Sequence, residues 1–228
     1  MLINVLKAII TKYISFFTKK NPPILDLKNK DFSSLNAFEE NAEQIRGEVE
    51  QFIKKNWKNI PTFNEVDEGQ VELTSNDNID WKTLFVKMYD TWIDQEVSPT
   101  TTRLLKNNPN ISSALFSCLD AGKEIPPHYG PNNGILRYTL PIVVPTDGSC
   151  HLVIDGKHVQ LKESKGVLWD DTYKHSASNQ TSSTRVALLL DIKKKMPRHV
   201  EFVYALAMKI ARVSPAFKKA VETAKTKP

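Results

Sequence analysis

EIPPHYGPNNGILRYTLPIVV, residues Glu124 to Val144, is the stretch on which the fold turns. Two extended runs rich in Ile, Leu, Val and Tyr flank a knot of Gly130, Pro131, Asn132, Asn133 and Gly134, residues that make turns and break helices. From about Ile111 the same grammar recurs in SALFSCL, CHLVIDGKHVQL, GVLWDD and RVALLLDI. In VIDGKHV, Asp155-Gly156 can adopt positive φ and close a tight hairpin. Several short strands with turn punctuation predict a mainly β sandwich or small barrel over residues 79–197.

Outward from this core the period changes. Residues Ser34 to Lys55 place Leu35, Phe38, Ile45, Val49 and Phe52/Ile53 on one helical face, within a lead-in and connector spanning 23–78. WKTLFVKMYD reads as a strand, and SPTTTRLLKNN opens a helix with Ser98 followed by Pro99. At the start, residues 1–22 form an amphipathic helix stopped by Pro22 and Pro23. It is too short and too lysine-interrupted to span a bilayer. After Pro197, residues 198–228 return to a basic helix and tail, with Phe202, Val203, Leu206, Ile210 and Val213 beside Lys209, Arg212, Lys218 and Lys219. The two terminal segments predict either ordinary packing or peripheral contact with an anionic membrane.

Composition bounds the rest. The 228 residues suit one domain with additions at its ends, and a net charge of +5 fits an anionic surface or ligand. No nucleic-acid recognition motif accompanies that charge, so no nucleic-acid partner is expected. Cys118 and Cys150 lack metal-ligand spacing and read as reduced thiols of a cytoplasmic protein.

Two histidines stand apart. His128 precedes the run carrying Arg137, and His175 precedes the run carrying Arg185. A buried strand rarely holds arginine unless something anionic meets it. Strand ends meeting at one barrel mouth would let two neutral imidazoles hold a divalent metal while the arginines grip carboxylates. Alternatively, the histidines are hydrogen-bonded loop residues and Arg137 pairs with a nearby acid. His151 and His158, flanking the hairpin, read as solvated strand positions, and His199 as exposed.

PTTTRLLKNNPNISSALFSCLDAGKEIPPHYGPNNGILRYTLPIVVP followed by WDDTYKHSASNQTSSTRVALLLDI resembles the aspartyl/asparaginyl β-hydroxylase family over roughly Pro99 to Pro197. The helix around Ile45 and Arg46 resembles the one preceding that family's core. The resemblance implies a double-stranded β-helix (jelly-roll, cupin-like) core with flanking N- and C-terminal helices. It implies an iron(II)- and 2-oxoglutarate-dependent dioxygenase that consumes molecular oxygen. By the same resemblance His128 and His175 are the metal ligands, Arg185 holds the distal carboxylate of 2-oxoglutarate with Ser117 assisting, and Arg137 and Thr139 lie in the co-substrate pocket. Asp170 or Asp171 would orient His175.

Gly130 stands where many iron oxygenases carry aspartate, a feature shared with the aspartyl hydroxylases. Thr139 replaces a common histidine and Lys87 a common tryptophan, which implies an altered co-substrate pocket. HYGPNNG points to hydroxylation of a peptide Asp or Asn. The alternative to that first reading is a membrane-associated lipid acyl-chain hydroxylase: DDTYKH and the lipophilic termini resemble the lipid A hydroxylases, although those often carry an aspartate where this chain has Gly130, which counts against it. A catalytically silent β-barrel that only binds an anionic ligand is the contrasting class.

Overall fold

The computed structural model describes residues 2–18, 20–74 and 77–225, with side chains from Ile10 onward. Eleven strands carry the core: β1 Ile24–Leu25, β2 Trp81–Met88, β3 Thr91–Trp92, β4 Ile111–Leu119, β5 Glu124–His128, β6 Ile135–Val143, β7 Ser149–Ile154, β8 Lys157–Gln160, β9 Val167–Trp169, β10 His175–Gln180 and β11 Arg185–Lys193. Seven helices accompany them: α1 Leu2–Phe17, α2 Asn36–Glu40, α3 Ala42–Asn56, α4 Phe63–Val66, α5 Pro99–Lys106, α6 Arg198–Val213 and α7 Pro215–Ala224.

A seven-stranded sheet, β1-β9-β6-β11-β4-β2-β3, stands with a four-stranded one, β5-β10-β7-β8. Every ladder is antiparallel. The core is a double-stranded β-helix, mainly β as its strand-and-turn pattern predicts. The Asp155-Gly156 turn has φ of 50° and 75°, the positive pair that a two-residue hairpin needs.

The larger sheet is buried on both faces because strand alternation feeds two different cores. Phe116 and Cys118 of β4, with Leu188 and Leu190 of β11, pack outward under α2, α3 and α5. Leu115 and Leu189 project to the other side, where α7 lays Phe217, Ala220 and Val221 against Phe85 and Met88. Glu39 pins the helical layer down, accepting from the Gly166 amide at 2.9 Å and the Tyr138 hydroxyl at 3.2 Å. Glu48 of α3 accepts from Ser98 Oγ and from the Thr100 amide and hydroxyl at the start of α5.

Three features differ from the sequence reading. The helix expected from Ser34 to Lys55 breaks at Asn41, whose side chain turns back to donate to the Ala37 carbonyl. The lead-in contributes an edge strand: Pro22 and Pro23 force extended backbone, and Ile24 and Leu25 pair with Trp169 and Leu168. The expected C-terminal tail forms α7 and packs on the barrel. There Ser214 caps the helix, accepting from the Phe217 amide, and Pro215 starts it.

Asn179 joins the two sheets. Its amide nitrogen donates to the carbonyls of Leu119, Asp120 and Ser183, and its Oδ1 accepts from Thr181 Oγ1. With this side chain fully buried, Asn179→Ala strands several carbonyls and should cost about 3 kcal/mol. Urea unfolding of the variant against the parent measures it.

Candidate functional site

β5 and β10 pair so that His128 sits opposite His175, and the ring centroids lie 4.1 Å apart. Each Nδ1 contacts a nearby backbone carbonyl: His128 that of Pro126 at 2.9 Å, His175 that of Tyr173 at 2.8 Å. A carbonyl only accepts, so Nδ1 carries the proton and each neutral ring keeps its Nε2 lone pair free. Burial lowers the pKa of His128. It also pushes His175 down to about 3, with the nearby His128 adding to the effect. Both imidazoles are therefore neutral at neutral pH, the form in which they can ligate a metal.

Around this pair lies a cluster of largely buried charges. Arg137 Nη1 lies 2.9 Å from Asp171 Oδ1, and its Nε donates to Asp191 Oδ1 at 2.9 Å. Burial opposes the charge on Arg137, but Asp171 and Asp191 outweigh it and hold its pKa above the ordinary value. Burial raises both carboxylates, and Arg137 opposes the rise in each. Asp171 also brings Oδ1 to 3.7 Å from His175 Nε2, and neither of its oxygens has a hydrogen bond among the described residues.

Gly130 is explained here. The Gly130 amide donates to the Asp171 carbonyl at 2.9 Å, and a Cβ at position 130 would collide with the Asp171 carboxylate. The acid missing at 130 has its space filled by the acid at 171.

The aspartate pair expected beside His175 divides. Asp170 accepts from Asn21, Thr172 and Lys194, and these contacts cap a turn rather than reach a histidine. Burial raises its pKa, but Lys194 and Thr172 outweigh burial and leave it lowered. Trp169, at the end of β9, stacks edgewise on His175 with centroids 4.5 Å apart and donates its Nε1–H to Thr139 Oγ1 at 3.1 Å. Thr139 thus anchors the ring behind the histidine and retains its own proton to donate.

Arg185 and Ser117 occupy the other end of the barrel interior. Arg185 pairs with Leu119 across the sheet and Ser117 with Ala187, so the two are diagonal neighbours on one face. Ser117 Oγ accepts from Trp81 Nε1 at 3.0 Å. Arg185 is buried, and its Nε has no hydrogen-bond partner among the described residues. Burial lowers its pKa to about 10, so it stays charged at neutral pH. A buried cation short of partners fits an anionic guest.

Lys87 does not enter the site. It donates to the Ile111 carbonyl at 2.7 Å and lies 3.4 Å from Asp90. His158 and His199 are exposed as expected, whereas His151 is half-buried with an unpartnered Nδ1.

A cavity of about 470 Å³ opens onto His128, Gly130 and Arg137. Its walls include Phe63, Trp81, Phe85, Leu115, Leu189 and Phe217, so α4 and α7 help to enclose it. Asp191 and the α7 wall are the functional elements the sequence reading missed. The one signal available was an aspartate inside the apolar run RVALLLDI.

The aspartyl/asparaginyl beta-hydroxylase profile matches residues 39–195. An ornithine lipid ester-linked acyl 2-hydroxylase of Rhizobium tropici is 30% identical over 90% of this chain and 72% of its own length. Aspartate beta-hydroxylase domain-containing protein 2 of Xenopus tropicalis is 34% identical over 41% of this chain, and the human aspartyl/asparaginyl beta-hydroxylase 28% identical over 42%. Those matches span 27% and 13% of the two longer proteins. Among solved structures, the Schizosaccharomyces pombe Cnp3 cupin domain aligns with a TM-score of 0.35 at 10% identity, over 52% of this chain and 70% of that one.

The low histidine pKa values carry a pH signature. The unfolded chain binds protons near pH 6.5 that the folded chain refuses, so stability falls as pH drops below that value toward about 3. Asp171 and Asp191, raised by burial, act in the opposite direction. In chelator-treated protein His175 should contribute at most about 2 kcal/mol of loss between pH 6.5 and 5. Thermal melts of His128→Asn/His175→Asn should show a shallower acid slope than the parent.

Proposed function

Because the chain belongs to the aspartyl/asparaginyl β-hydroxylase family, we propose that it is an iron(II)- and 2-oxoglutarate-dependent dioxygenase that hydroxylates the acyl chain of a lipid. The observation that carries the substrate reading is the apolar part of the cavity beside His128, formed by Phe63, Phe85, Leu115, Leu189 and Phe217, in a lining that also includes Glu65, Asp67, Glu68 and Lys219. A polar Asp or Asn side chain gains little from such walls, whereas each buried methylene gains about 0.8 kcal/mol. The span of similarity to the Rhizobium acyl hydroxylase supports the same reading, since it extends beyond the barrel to nearly the whole chain.

The residues fit the cofactor set. His128 and His175 would hold the metal through Nε2, the nitrogen left free by the Nδ1 contacts. Asp171 faces them from the place that Gly130 leaves open and would supply negative charge near a metal held by the two histidines. Arg185 and Ser117 would receive the distal carboxylate of 2-oxoglutarate, with the guanidinium gaining the partner it lacks. Thr139 and Arg137 stand opposite Leu189 and Asp191 of β11, on the face that Arg185 shares, and would lie between the two ends. With iron bound, 2-oxoglutarate and molecular oxygen supply the oxidation that places one oxygen atom in a C–H bond, and succinate and carbon dioxide leave.

The protein's own part is exclusion and placement. Trp169 backs His175, Arg137 is fixed between two acids, and the apolar part of the cavity wall would shield the carbon to be oxidised.

Purified protein with iron(II), oxygen and 2-oxoglutarate should release succinate and add one oxygen atom to a long-chain acyl lipid, read by mass spectrometry. Oxygen added instead to an Asp- or Asn-containing peptide would overturn the substrate class. Absence of succinate release with every substrate would overturn the dioxygenase. Arg185→Met should weaken 2-oxoglutarate binding at least about tenfold, the loss of one charge-assisted contact. His128→Ala/His175→Ala should abolish high-affinity iron binding in a metal titration.

A further inference from the structure

Helix α6 carries apolar residues on both its inner and its outer side. Its inner side is fixed by Val200 and Tyr204, which pack with Ile14 of α1 in a small separate core. A projection at about 100° per residue puts Phe202, Leu206 and Val213 at the centre of the opposite side, facing away from the protein. Their exposures are 70%, 48% and 65%, and Ile210 beside them is 55% exposed. The polar residues sharing this side are basic: Arg198 and Lys209, both exposed. Glu201, the acid of this helix, turns instead toward a groove that it lines with Lys193, Lys194 and Arg212.

The end of α1 extends the same surface. Phe16 is 80% exposed and Phe17 42%. Phe17 stacks edgewise on His199 at 5.2 Å and Phe16 on Phe17 at 4.8 Å, so the aromatic end of α1 meets the start of α6. Lys12 is exposed on α1 and Lys218 on α7. The result is a continuous apolar strip edged by positive charge, and no described helix is long and apolar enough to cross a membrane.

We infer that α1 and α6 together form a docking surface for an anionic lipid bilayer, lying in the plane of the interface. Apolar area alone would suit a second copy equally well. The charge decides for lipid: cations on both helices would repel across a self-paired face, whereas an anionic leaflet complements them. The same helices hold the loop that follows His128. Asn133 donates to Ser15 Oγ of α1, Asn132 donates to the Tyr204 hydroxyl of α6, and the Tyr204 ring covers Gly134 so closely that a Cβ there would not fit. Docking therefore sets the orientation of one edge of the cavity relative to the bilayer. The inference does not depend on the catalytic reading, because the docking residues share no member with the histidine site.

The test is co-sedimentation of the full chain with vesicles of phosphatidylcholine and phosphatidylglycerol, roughly three to one, against phosphatidylcholine alone. The protein should pellet with the anionic vesicles and be released by high salt. Phe202→Ser/Leu206→Ser/Val213→Ser should bind at least about tenfold more weakly with an unchanged melting temperature, since these side chains are exposed. Arg198→Glu/Lys209→Glu, which leaves the apolar strip intact, should lose the preference for anionic lipid. Equal pelleting of the triple variant and the parent, or no pelleting of the parent, overturns the proposal. A parent dimer in sedimentation equilibrium that the triple variant disperses, with no vesicle binding, overturns it in favour of a second copy.

Discussion

A guanidinium held between two buried carboxylates governs the centre of this molecule. Arg137 on β6 reaches Asp191 on β11 and Asp171 in the loop before β10, and so ties the larger sheet to the strand that carries His175. Each of these three charges would be costly alone in this interior, and each is tolerable because the others are present. The neutral histidines sit beside this cluster without joining it as cations, kept deprotonated by burial. Low dielectric thus does two jobs at one place. It strengthens the ion pairs and leaves two imidazole nitrogens unprotonated.

At the other end of the same barrel, Arg185 has no such compensation among the described residues, although it too lies on the inner face of β11. That asymmetry separates an arginine already fixed between acids from one whose Nε has no hydrogen-bond partner among the described residues. Arg137 already has its acids, whereas Arg185 has a hydroxyl for a diagonal neighbour and, among the described residues, no acid within ion-pair distance. Strand alternation produces both, since Arg185, Ala187, Leu189 and Asp191 share one side while Val186, Leu188 and Leu190 feed the helix-covered core.

Much of this was legible in the chain. The β core follows from local period and turn chemistry, signals contained in a few consecutive residues, and the histidine-arginine order marks where strands would deliver chemistry. The features that escaped depend on distant pairings. Asn41 breaks a helix whose apolar spacing continues straight through it. Nothing near Asn179 reveals that it will bind carbonyls from the end of β4. Asp170 and Asp171 are chemically identical neighbours, and only backbone direction sends one to Lys194 and the other to Arg137. The lysine-rich end of the chain conceals the apolar face of α7 because Phe217, Ala220 and Val221 are thinly spaced among cations.

The contact between Gly130 and Asp171 has a consequence for how chains of this fold can diverge. Beside the histidines, the Asp171 carboxylate occupies the space that a side chain at 130 would enter first. An aspartate arriving at 130 while Asp171 remains would bring two like charges into one buried space, and losing Asp171 while 130 stays glycine would leave Arg137 with one acid fewer. Exchange of the two, in contrast, conserves charge, volume and the arginine's partner in kind. The two positions are therefore coupled as alternatives, and a descendant that moves the acid from one loop to the other must pass through a state worse than either end.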